Sequence, residues 1–311
     1  MYDILIIGSG PAGLSAAIYA KRANFSVAVA EKEYLGTGQI VESGNVNNYL
    51  GLPNTNGYDL GEKFRGHAVL LEVPFIEKEV TQITITEESS KKLYQIRFKD
   101  DTVEQARAVI YTAGTHQRKA QVPGEEKYIG QGVSYCAICD GGFFKEKDVA
   151  VLGGGDTALD DALYLADICR KVYLVHRRDQ FRGARSTVAL LESRQNVEFV
   201  LNEQVTEIYG EDKLSGVRLK SGRSLDVSGV FVAYGSMPQS ELLKELAQID
   251  DRGYVVAAED GITYTPDGSA KQAGLYVAGD VRTKQLRQVV TAVADGANAV
   301  YSAQNYLSEL A

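Results

Sequence analysis

Two cysteines three residues apart are the strongest candidates for chemistry in this chain. Cys136 and Cys139 lie in the stretch SYCAICDGG, and the third cysteine of the 311 residues is Cys169. A Cys-x-x-Cys pair fits four interpretations: a structural disulfide, part of a zinc site, two inert buried thiols, or a redox dithiol whose thiolate pKa is lowered. The three histidines are scattered and no second Cys-x-x-Cys exists. We therefore predict no metal site, and a redox dithiol is favoured.

Two other residues bear on this interpretation. Asp140 follows the pair directly, and its Asp-Gly sequence is typical of a turn. It also has the right chemistry for a general acid that protonates a leaving thiolate, and the sequence leaves both roles open. Cys169 stands alone in ADICRKV, so we expect it to be a small buried hydrophobic side chain.

Two glycine motifs flank the cysteine pair in the sequence. GSGPAG follows the apolar run YDILII, and GGGDTA follows DVAVL. In the pattern G-x-G-x-x-G/A the first glycine makes a turn, the second admits a pyrophosphate, and the third residue packs a helix against a strand. Each motif lies between strand-like and helix-like patterns, with a second strand at the same interval, so we predict two dinucleotide-binding βαβ units. The motif residues are Gly8, Gly10 and Gly13 in the first unit, and Gly153, Gly155 and Ala158 in the second.

The end of the second strand in each unit indicates the nucleotide. Glu31 in the first unit fits an acid that hydrogen-bonds the ribose hydroxyls of NAD or FAD. The second unit instead carries HRRDQFRG, whose Arg177, Arg178 and Arg182 favour the 2′-phosphate of NADPH over a merely solvated basic turn. Near the C-terminus, Asp280 ends the strand-like LYVAGD and would lie beside a ribityl or phosphate chain. That carboxylate favours FAD in the first unit.

The repeat continues beyond the βαβ units. QITITEE, LYQIRF and ARAVIYTAG predict an antiparallel meander that ends in an apolar strand, and VTEIYG to GVFVAYG predicts a second one. The final strand and helix pattern has no third nucleotide loop, so it is expected to complete the first domain. The predicted fold is α/β, with two Rossmann-like dinucleotide-binding domains of three-layer ββα type. The NADPH domain (116–245) is inserted into a discontinuous FAD domain (1–115 and 246–311).

Composition restricts partners and location. The net charge of −8 argues against nucleic acid or an anionic membrane as the main partner. No apolar run approaches the ~20 residues of a membrane span, and MYDILIIGSG lacks the basic start of a signal peptide. We expect a cytoplasmic location, where thiols stay reduced and a Cys-x-x-Cys pair is more often catalytic or metal-binding than structural.

The whole set of motifs resembles a known family. GSGPAG, GTGQI, GVSYCAICDG, GGGDTA, HRRDQFR and GDV…LRQVVTAVADGA, in this order, are similar to the low-molecular-weight thioredoxin reductases of bacteria over essentially the whole chain. The resemblance implies an FAD-containing homodimer that uses NADPH to reduce the disulfide of thioredoxin or a thioredoxin-like protein. It implies further that Cys139 faces the flavin, that Cys136 attacks the substrate disulfide and that Asp140 is the acid.

The resemblance also implies the cofactor-binding residues and a movement. The residues expected at FAD are Gly8, Gly10, Pro11, Ala12, Gly13, Glu31, Gln39, Asn48, Ala113, Gly114, Gly279, Asp280, Arg287 and Gln288. The residues expected at NADPH are Gly153, Gly155, Asp156, Thr157, Ala158, His176, Arg177, Arg178 and Arg182. Since the dithiol and the NADPH turn share one domain and must both reach one flavin, that domain is expected to rotate about hinges near Gly114–Lys119 and Gly235–Leu242.

The chain departs from the family pattern at four places. Ile138 stands between the cysteines where threonine is usual, Leu50 replaces a proline, His116 lies in a hinge, and Tyr264–Gly274 is longer than usual. These departures affect the partner and the flavin environment more than the type of reaction.

Other functions fit parts of the pattern. Relatives that are fed by ferredoxin lack the HRR…R set, and a glutaredoxin-like or peroxidase partner is not excluded by any motif. A non-enzymatic redox sensor would be expected to carry an output domain, for which we find no length. A ferredoxin–NADP reductase of similar fold would lack Cys136 and Cys139.

Overall fold

The computed structural model describes residues 1–32, 37–43, 46–88 and 91–310. Secondary structure in this part comprises eighteen strands and six α-helices. The strands are β1 (Tyr2–Ile7), β2 (Val27–Glu31), β3 (Phe75–Glu77), β4 (Val80–Glu88), β5 (Lys91–Phe98), β6 (Val103–Tyr111), β7 (Thr115–Gln117), β8 (Val133–Ser134), β9 (Asp148–Leu152), β10 (Lys171–His176), β11 (Val197–Leu201), β12 (Val205–Gly210), β13 (Leu214–Leu219), β14 (Ser224–Asp226), β15 (Gly229–Val232), β16 (Ser236–Pro238), β17 (Ile262–Tyr264) and β18 (Lys271–Val277). The helices are α1 (Pro11–Arg22), α2 (Gly57–Leu70), α3 (Ala137–Asp140), α4 (Asp156–Ala166), α5 (Arg185–Glu192) and α6 (Val289–Glu309).

The chain divides into two compact units. Unit 1 comprises Met1–Val41, Thr55–His116 and Met237–Ala311, and unit 2 comprises Glu42–Asn54 and Gln117–Ser236. Two boundaries differ from those expected from the sequence. Residues 237–245 belong to unit 1, because Gln239 hydrogen-bonds Ala113 and Gly114 and Leu243 is fully buried in the core of unit 1. The short segment Glu42–Asn54 groups with unit 2.

Unit 1 is built on a mixed sheet with the order β17-β18-β6-β1-β2-β3. Strands β18, β6, β1, β2 and β3 are parallel, and the antiparallel pair β4-β5 joins the sheet through β6. Side chains of β1 alternate between two cores, since Ile4 and Ile6 pack with α1 and α6 whereas Leu5 and Ile7 pack with the meander. The sheet is therefore covered by helices on one face and strands on the other.

Unit 2 repeats this plan around a parallel sheet with the order β11-β10-β9-β15-β8. Val149 and Val151 of β9 pack with α4, and Ala150 and Leu152 pack with the meander β12-β13-β14. The predicted α/β fold with two Rossmann-like units, one inserted into the other, is confirmed. No helix in the described ranges is both long and apolar enough to cross a membrane.

The two copies differ where the meander meets the core. In unit 1 the last meander strand and the core strand are one continuous strand, β6, which pairs with β5 and with β1. In unit 2 they are separate strands, β14 and β15, which are interrupted at Val227 and Ser228. Val227 N donates to Ser215 O in the meander, and Ser228 N donates to Asp148 O in the core sheet. This change of hydrogen-bonding partner, from the meander to the core sheet, separates the two sheets of unit 2.

The two chain segments that connect the units pair with each other. β7 and β16 form a two-stranded sheet. Gly114 and Gly235 lie next to it with φ of +68° and +86°, and a Cβ at either position would meet no atom within 4 Å. Both glycines thus adopt backbone conformations that other residues rarely reach, in open surroundings.

The segment Tyr264–Gly274 forms a closed hairpin between β17 and β18. Asp267 in its turn accepts hydrogen bonds from the Thr265 hydroxyl at 2.6 Å and the Ser269 backbone N at 3.1 Å. The segment therefore connects two paired strands of unit 1 through a compact turn.

Candidate functional site

The first glycine turn is packed against protein at two of its three glycines. Gly8 has a φ of +101°, and a Cβ there would lie 2.7 Å from the carbonyl oxygen of Thr112. A Cβ at Gly13 would collide with the Gly8 carbonyl oxygen. Glycine is therefore required at both positions by the fold of unit 1 itself.

For the middle glycine, the described residues give no such reason. Gly10 has φ −65° and ψ 179°, which any residue can adopt, and the nearest atoms to an added Cβ are 3.9 Å away. Gly10 is the N-cap of α1, where free N–H groups and the helix dipole favour phosphate. A ligand that approaches the backbone closely explains this glycine, and a dinucleotide pyrophosphate fits.

Glu31 ends β2 beside this turn. Its Oε2 accepts hydrogen bonds from the backbone N and the hydroxyl of Ser9, both at 3.0 Å, and its Oε1 accepts one from Lys32 N. Ser9 is fully buried, so the carboxylate is fixed at the rim of the turn. This is the position from which an acid recognises a ribose in Rossmann units.

Asp280 reaches the same edge of the sheet from β18. Its Oδ1 atom is buried and accepts no hydrogen bond from the described part of the chain; the Lys284 ammonium lies 3.8 Å away. Burial raises the pKa of Asp280, and the charge of Lys284 opposes this. A buried acceptor without a donor is costly, so a hydroxyl-bearing chain such as the ribityl of a flavin fits here.

The other residues expected at the flavin are placed in several ways. Arg287 Nε donates to Asp280 O at 3.2 Å, and Gln288 caps α6 in a reciprocal box with Thr291. Gln39 Nε2 donates to the Thr115 carbonyl oxygen. Pro11 and Ala12 open α1, Ala113 and Gly114 follow β6, and Gly279 precedes Asp280. Asn48 is exposed and belongs to the segment that groups with unit 2.

The second glycine turn repeats the arrangement of the first. A Cβ at Gly153 would lie 2.6 Å from both the Ala233 carbonyl oxygen and the Ala158 Cβ, and Ala158 is fully buried. Gly155, the N-cap of α4, has φ −98° and ψ −179°, and nothing lies within 4 Å of an added Cβ. No contact with another described residue requires this middle glycine, so the turn fits a second pyrophosphate.

A basic loop is tied to this second turn by its backbone. Arg182 N donates to Gly154 O at 2.7 Å, and Ala184 N donates to Asp156 Oδ1 at 2.8 Å. Asp156 and Thr157 begin α4 and are exposed. The three loop arginines are exposed, and none forms an ion pair with another described residue; they are Arg177, Arg178 and Arg182. Asp179 lies in the same loop, but among the described residues no ion pair joins it to these arginines. Three cations beside a phosphate-binding turn fit a 2′-phosphate.

His176 supports the turn from behind. Its ring lies against Gly154, where an added Cβ would collide with it, and stacks on Phe181 at 5.4 Å. Burial, with smaller effects from the arginines, lowers the pKa of His176. The ring is therefore neutral at pH 7 and shapes the loop rather than adding a charge.

The cysteine pair lies at the same sheet edge as the second turn. Cys136 and Cys139 are joined by a disulfide, with their Cα atoms 5.3 Å apart. Cys136 is the N-cap of α3, and its Sγ accepts a hydrogen bond from Cys139 N at 3.2 Å. Since β8, β15 and β9 are parallel neighbours, the disulfide lies two strands away from the glycine turn of β9.

Asp140 ends α3 directly after the second cysteine. Ser134 Oγ donates to Asp140 Oδ2 at 2.6 Å and accepts from Cys136 N at 3.0 Å. Burial raises the pKa of Asp140, and the Ser134 hydrogen bond opposes this. The carboxyl therefore keeps its proton to higher pH than an ordinary aspartic acid does.

The chain matches a model of the pyridine nucleotide-disulphide oxidoreductase family over residues 2–296. It belongs to this family. It is 38% identical over 315 residues to the thioredoxin reductase of Mycolicibacterium smegmatis, a match that covers 99% of this chain and 97% of that protein. With the thioredoxin reductase of Bacillus subtilis the identity is 37%, covering 100% and 96%. The crystal structure of thioredoxin reductase from Streptococcus pyogenes superposes with a TM-score of 0.91 at 37% identity, covering 99% of both chains.

As a pyridine nucleotide-disulphide oxidoreductase, the protein is an oxidoreductase that acts on a disulfide. Among the residues that the structure describes, one disulfide is formed, between Cys136 and Cys139. Cys169 is free and buried, as predicted, and burial raises the pKa of its thiol to about 11. Its thiol is therefore protonated at neutral pH, unlike a reactive thiolate.

Sequence reasoning missed several residues of this oxidoreductase that support the sites. Asp295 on α6 accepts from Gly279 N at 3.0 Å and pairs with Arg282 at 2.6 Å and Lys284 at 2.8 Å. Ser134 was likewise not singled out. These residues act through contacts between elements that are distant in sequence, for which a single sequence gives no signal.

The open glycines lead to a first prediction. Gly10→Ala is expected to leave the fold intact and to weaken FAD binding roughly 10- to 100-fold, because the new methyl group occupies ligand space at a cost of about 1–3 kcal/mol. Gly155→Ala is expected to weaken NADPH binding to the same extent and to spare FAD. Apoprotein titration with each nucleotide measures both effects. Gly66→Ala, in open surroundings on α2, is the control, and equal behaviour of all three variants would contradict the assignment.

Proposed function

We propose that the protein is an NADPH-dependent thioredoxin reductase that acts through FAD and the Cys136–Cys139 dithiol. The proposal rests on the common edge of the unit 2 sheet, which presents both the disulfide and an open nucleotide turn. The arginines beside this turn form no ion pair with any residue that the structure describes. Relatives named thioredoxin reductases over nearly their whole length support thioredoxin, or a protein like it, as the substrate.

The cofactors are assigned by the chemistry of each turn. In unit 1, Gly10, Glu31 and Asp280 would hold FAD at its pyrophosphate, ribose and ribityl groups. In unit 2, Gly155 and the loop arginines would hold NADPH. When bound, FAD supplies the transfer of two electrons from NADPH to the disulfide.

The residues of the dithiol would act in a fixed order. In the reduced protein, the Cys136 thiolate would attack one sulfur of the substrate disulfide, which forms a mixed disulfide and releases the other sulfur as a thiolate. Asp140 would protonate this leaving thiolate. Cys139 would then attack Cys136 Sγ, releasing the second substrate thiol and restoring the disulfide seen here. The hydrogen bond from Cys139 N to Cys136 Sγ favours the thiolate form of Cys136.

We propose further that unit 2 rotates relative to unit 1 during the cycle. The disulfide and the nucleotide turn belong to one unit, and both would serve one flavin in the other. The conformationally free Gly114 and Gly235, with the paired strands β7 and β16, fit the predicted hinges. Cross-linking the units through engineered cysteines is expected to stop turnover while leaving one half-reaction intact.

Asp140→Asn tests the proposed acid. The variant keeps the size of the side chain but loses its proton, so disulfide reduction is expected to fall about 100-fold. The wild-type rate is expected to decline as pH rises through the raised pKa of Asp140. This decline on the alkaline side of the pH profile should be absent in Asp140→Asn. Ser134→Ala removes the hydrogen bond that lowers the pKa of Asp140, so the decline in rate should move to higher pH. A pH profile of kcat/KM that is identical in all three proteins would refute the role.

The homodimer and the cytoplasmic location remain predictions. Light scattering on the purified protein measures the first, and fractionation of cells measures the second.

An anaerobic titration of the purified protein with NADPH and, separately, with NADH tests the central proposal. Rapid bleaching of a visible flavin band by NADPH, and much slower bleaching by NADH, is the expected result. A flavin band that neither nucleotide bleaches would overturn the role of the second turn and make ferredoxin the donor to test.

A further inference from the structure

Tyr234 lies between the nucleotide turn and the cysteine pair in unit 2. It follows β15, the strand between β9, which carries the turn, and β8, which leads to Cys136. The residue is 41% exposed. In the part of the chain that the structure describes, its hydroxyl makes no hydrogen bond and its ring stacks on no other ring. A large aromatic side chain is thus presented at the ligand edge of the sheet without a protein partner.

The backbone beside Tyr234 touches the turn itself. Ala233 N donates to Leu152 O at 2.9 Å, and the Ala233 carbonyl oxygen is one of the atoms that require glycine at position 153. Tyr234 is therefore fixed on the β15 side of the turn. Arg177 follows β10, the neighbour of β9 on the opposite side. The two side chains flank the end of β9.

The electrostatics of Tyr234 agree with this placement. Burial and the carboxylate of Glu125 raise the pKa of Tyr234, and the charge of Arg177 lowers it. Glu125 is itself buried and accepts a hydrogen bond from the Tyr135 hydroxyl at 2.8 Å. Tyr234 is therefore a neutral phenol close enough to Glu125 and Arg177 to feel both charges. Its hydroxyl can donate a hydrogen bond, and the face of its ring offers an apolar surface.

The direction of a bound dinucleotide follows from the two sides of the turn. The residue after the second strand of a Rossmann unit contacts the adenosine ribose or its 2′-phosphate, and the helix N-terminus holds the pyrophosphate. In unit 2 these are the arginine loop after β10 and the start of α4. The adenosine half then lies on the β10 side, so the nicotinamide half extends from the pyrophosphate towards β15.

We propose that Tyr234 contacts the nicotinamide half of the dinucleotide, with its ring packed against the nicotinamide ribose or base. This inference rests on the proposed use of NADPH and adds a binding residue to that site. A planar ring at this position gains contact area with the planar nicotinamide at little conformational cost.

Two nucleotides that share the adenosine half distinguish a contact with the nicotinamide half from a general effect on nucleotide binding. Calorimetry on the purified flavoprotein would compare NADP⁺, the whole dinucleotide, with 2′,5′-ADP, its phosphorylated adenosine half. Tyr234→Ala is expected to raise the Kd for NADP⁺ about five- to tenfold and to leave the Kd for 2′,5′-ADP unchanged. Tyr234→Phe should stay within about twofold of the wild type for both nucleotides, because it keeps the ring. Arg177→Gln should weaken both.

The controls distinguish the possible failures. Tyr301→Ala, an exposed tyrosine of unit 1, should change neither constant, and thermal unfolding confirms that each variant is folded. An unchanged Kd for NADP⁺ in Tyr234→Ala, or an equal loss for both nucleotides, would overturn the role of Tyr234 while NADPH use stands. Failure of both nucleotides to bind the wild-type protein would instead overturn the proposed NADPH site.

Discussion

Replacing Cys136 or Cys139 by serine is expected to abolish disulfide reduction, with a loss of at least about a thousandfold in kcat. Both thiols are needed because one forms the mixed disulfide and the other resolves it. A hydroxyl can do neither under these conditions, since its pKa is far above that of a thiol. The assay is reduction of thioredoxin with NADPH, followed by insulin or by a chromogenic disulfide.

The same variants should keep their flavin and its reduction by NADPH, because neither cysteine contributes to the glycine turns. The matched control is Cys169→Ser, at a buried free thiol just beyond the C-terminal end of α4 and thirty residues after Cys139; it should retain near-normal turnover if it folds. Substantial thioredoxin reduction by either single serine variant would exclude the dithiol mechanism. Loss of flavin from both would point to a structural role for the pair.

Replacing Arg177 and Arg178 together by glutamine is expected to raise the Kd for NADPH about 100-fold or more and to change the Kd for NADH by no more than about threefold. Each charge-assisted hydrogen bond to a phosphate contributes about 1.5–3 kcal/mol. NADH lacks the 2′-phosphate and so does not gain from these cations. Stopped-flow bleaching of the flavin with each nucleotide measures both constants.

Arg194→Gln is the matched control for the arginine pair. Arg194 lies in unit 2 but pairs with Asp167 at 2.9 Å, so neutralising it should leave both constants unchanged. Equal losses for NADPH and NADH in the double variant would mean that the arginines act on a part common to both nucleotides. That result would remove the argument for a 2′-phosphate site.

The sequence sufficed for the repeat, because its signals are local. A glycine pattern, an apolar strand before it and a small-residue helix after it all lie within about 30 residues of a βαβ unit. The burial of Cys169 could also be predicted, since an isolated cysteine in an apolar context is usually buried. The spacing of Cys136 and Cys139 alone leaves four interpretations open, and the redox pair is favoured because no second Cys-x-x-Cys and no histidine pair offers further metal ligands.

Other features depended on contacts between distant segments. Nothing in the residues near Asp280 indicates that Asp295 fixes its turn from α6, or that the Oδ1 atom of Asp280 has no donor among the described residues. The unit boundary at Ser236 depends on the hydrogen bonds of Gln239 with Ala113 and Gly114, which are more than a hundred residues earlier in the chain. Tyr234 belongs to no sequence motif, and only the order of the strands places it between the nucleotide turn and the cysteine pair.

The contact between His176 and Gly154 restricts how this protein can evolve. In unit 1 the equivalent positions are Glu31 and Ser9, which hydrogen-bond each other. Gly154→Ser alone would collide with the imidazole, and His176→Glu alone would lack the hydroxyl donor that Glu31 has. Either single step towards the unit 1 arrangement is therefore unfavourable, although the double change restores a known pair. The two halves of the repeat thus use mutually exclusive pairs of side chains behind their glycine turns, so no single substitution converts one arrangement into the other.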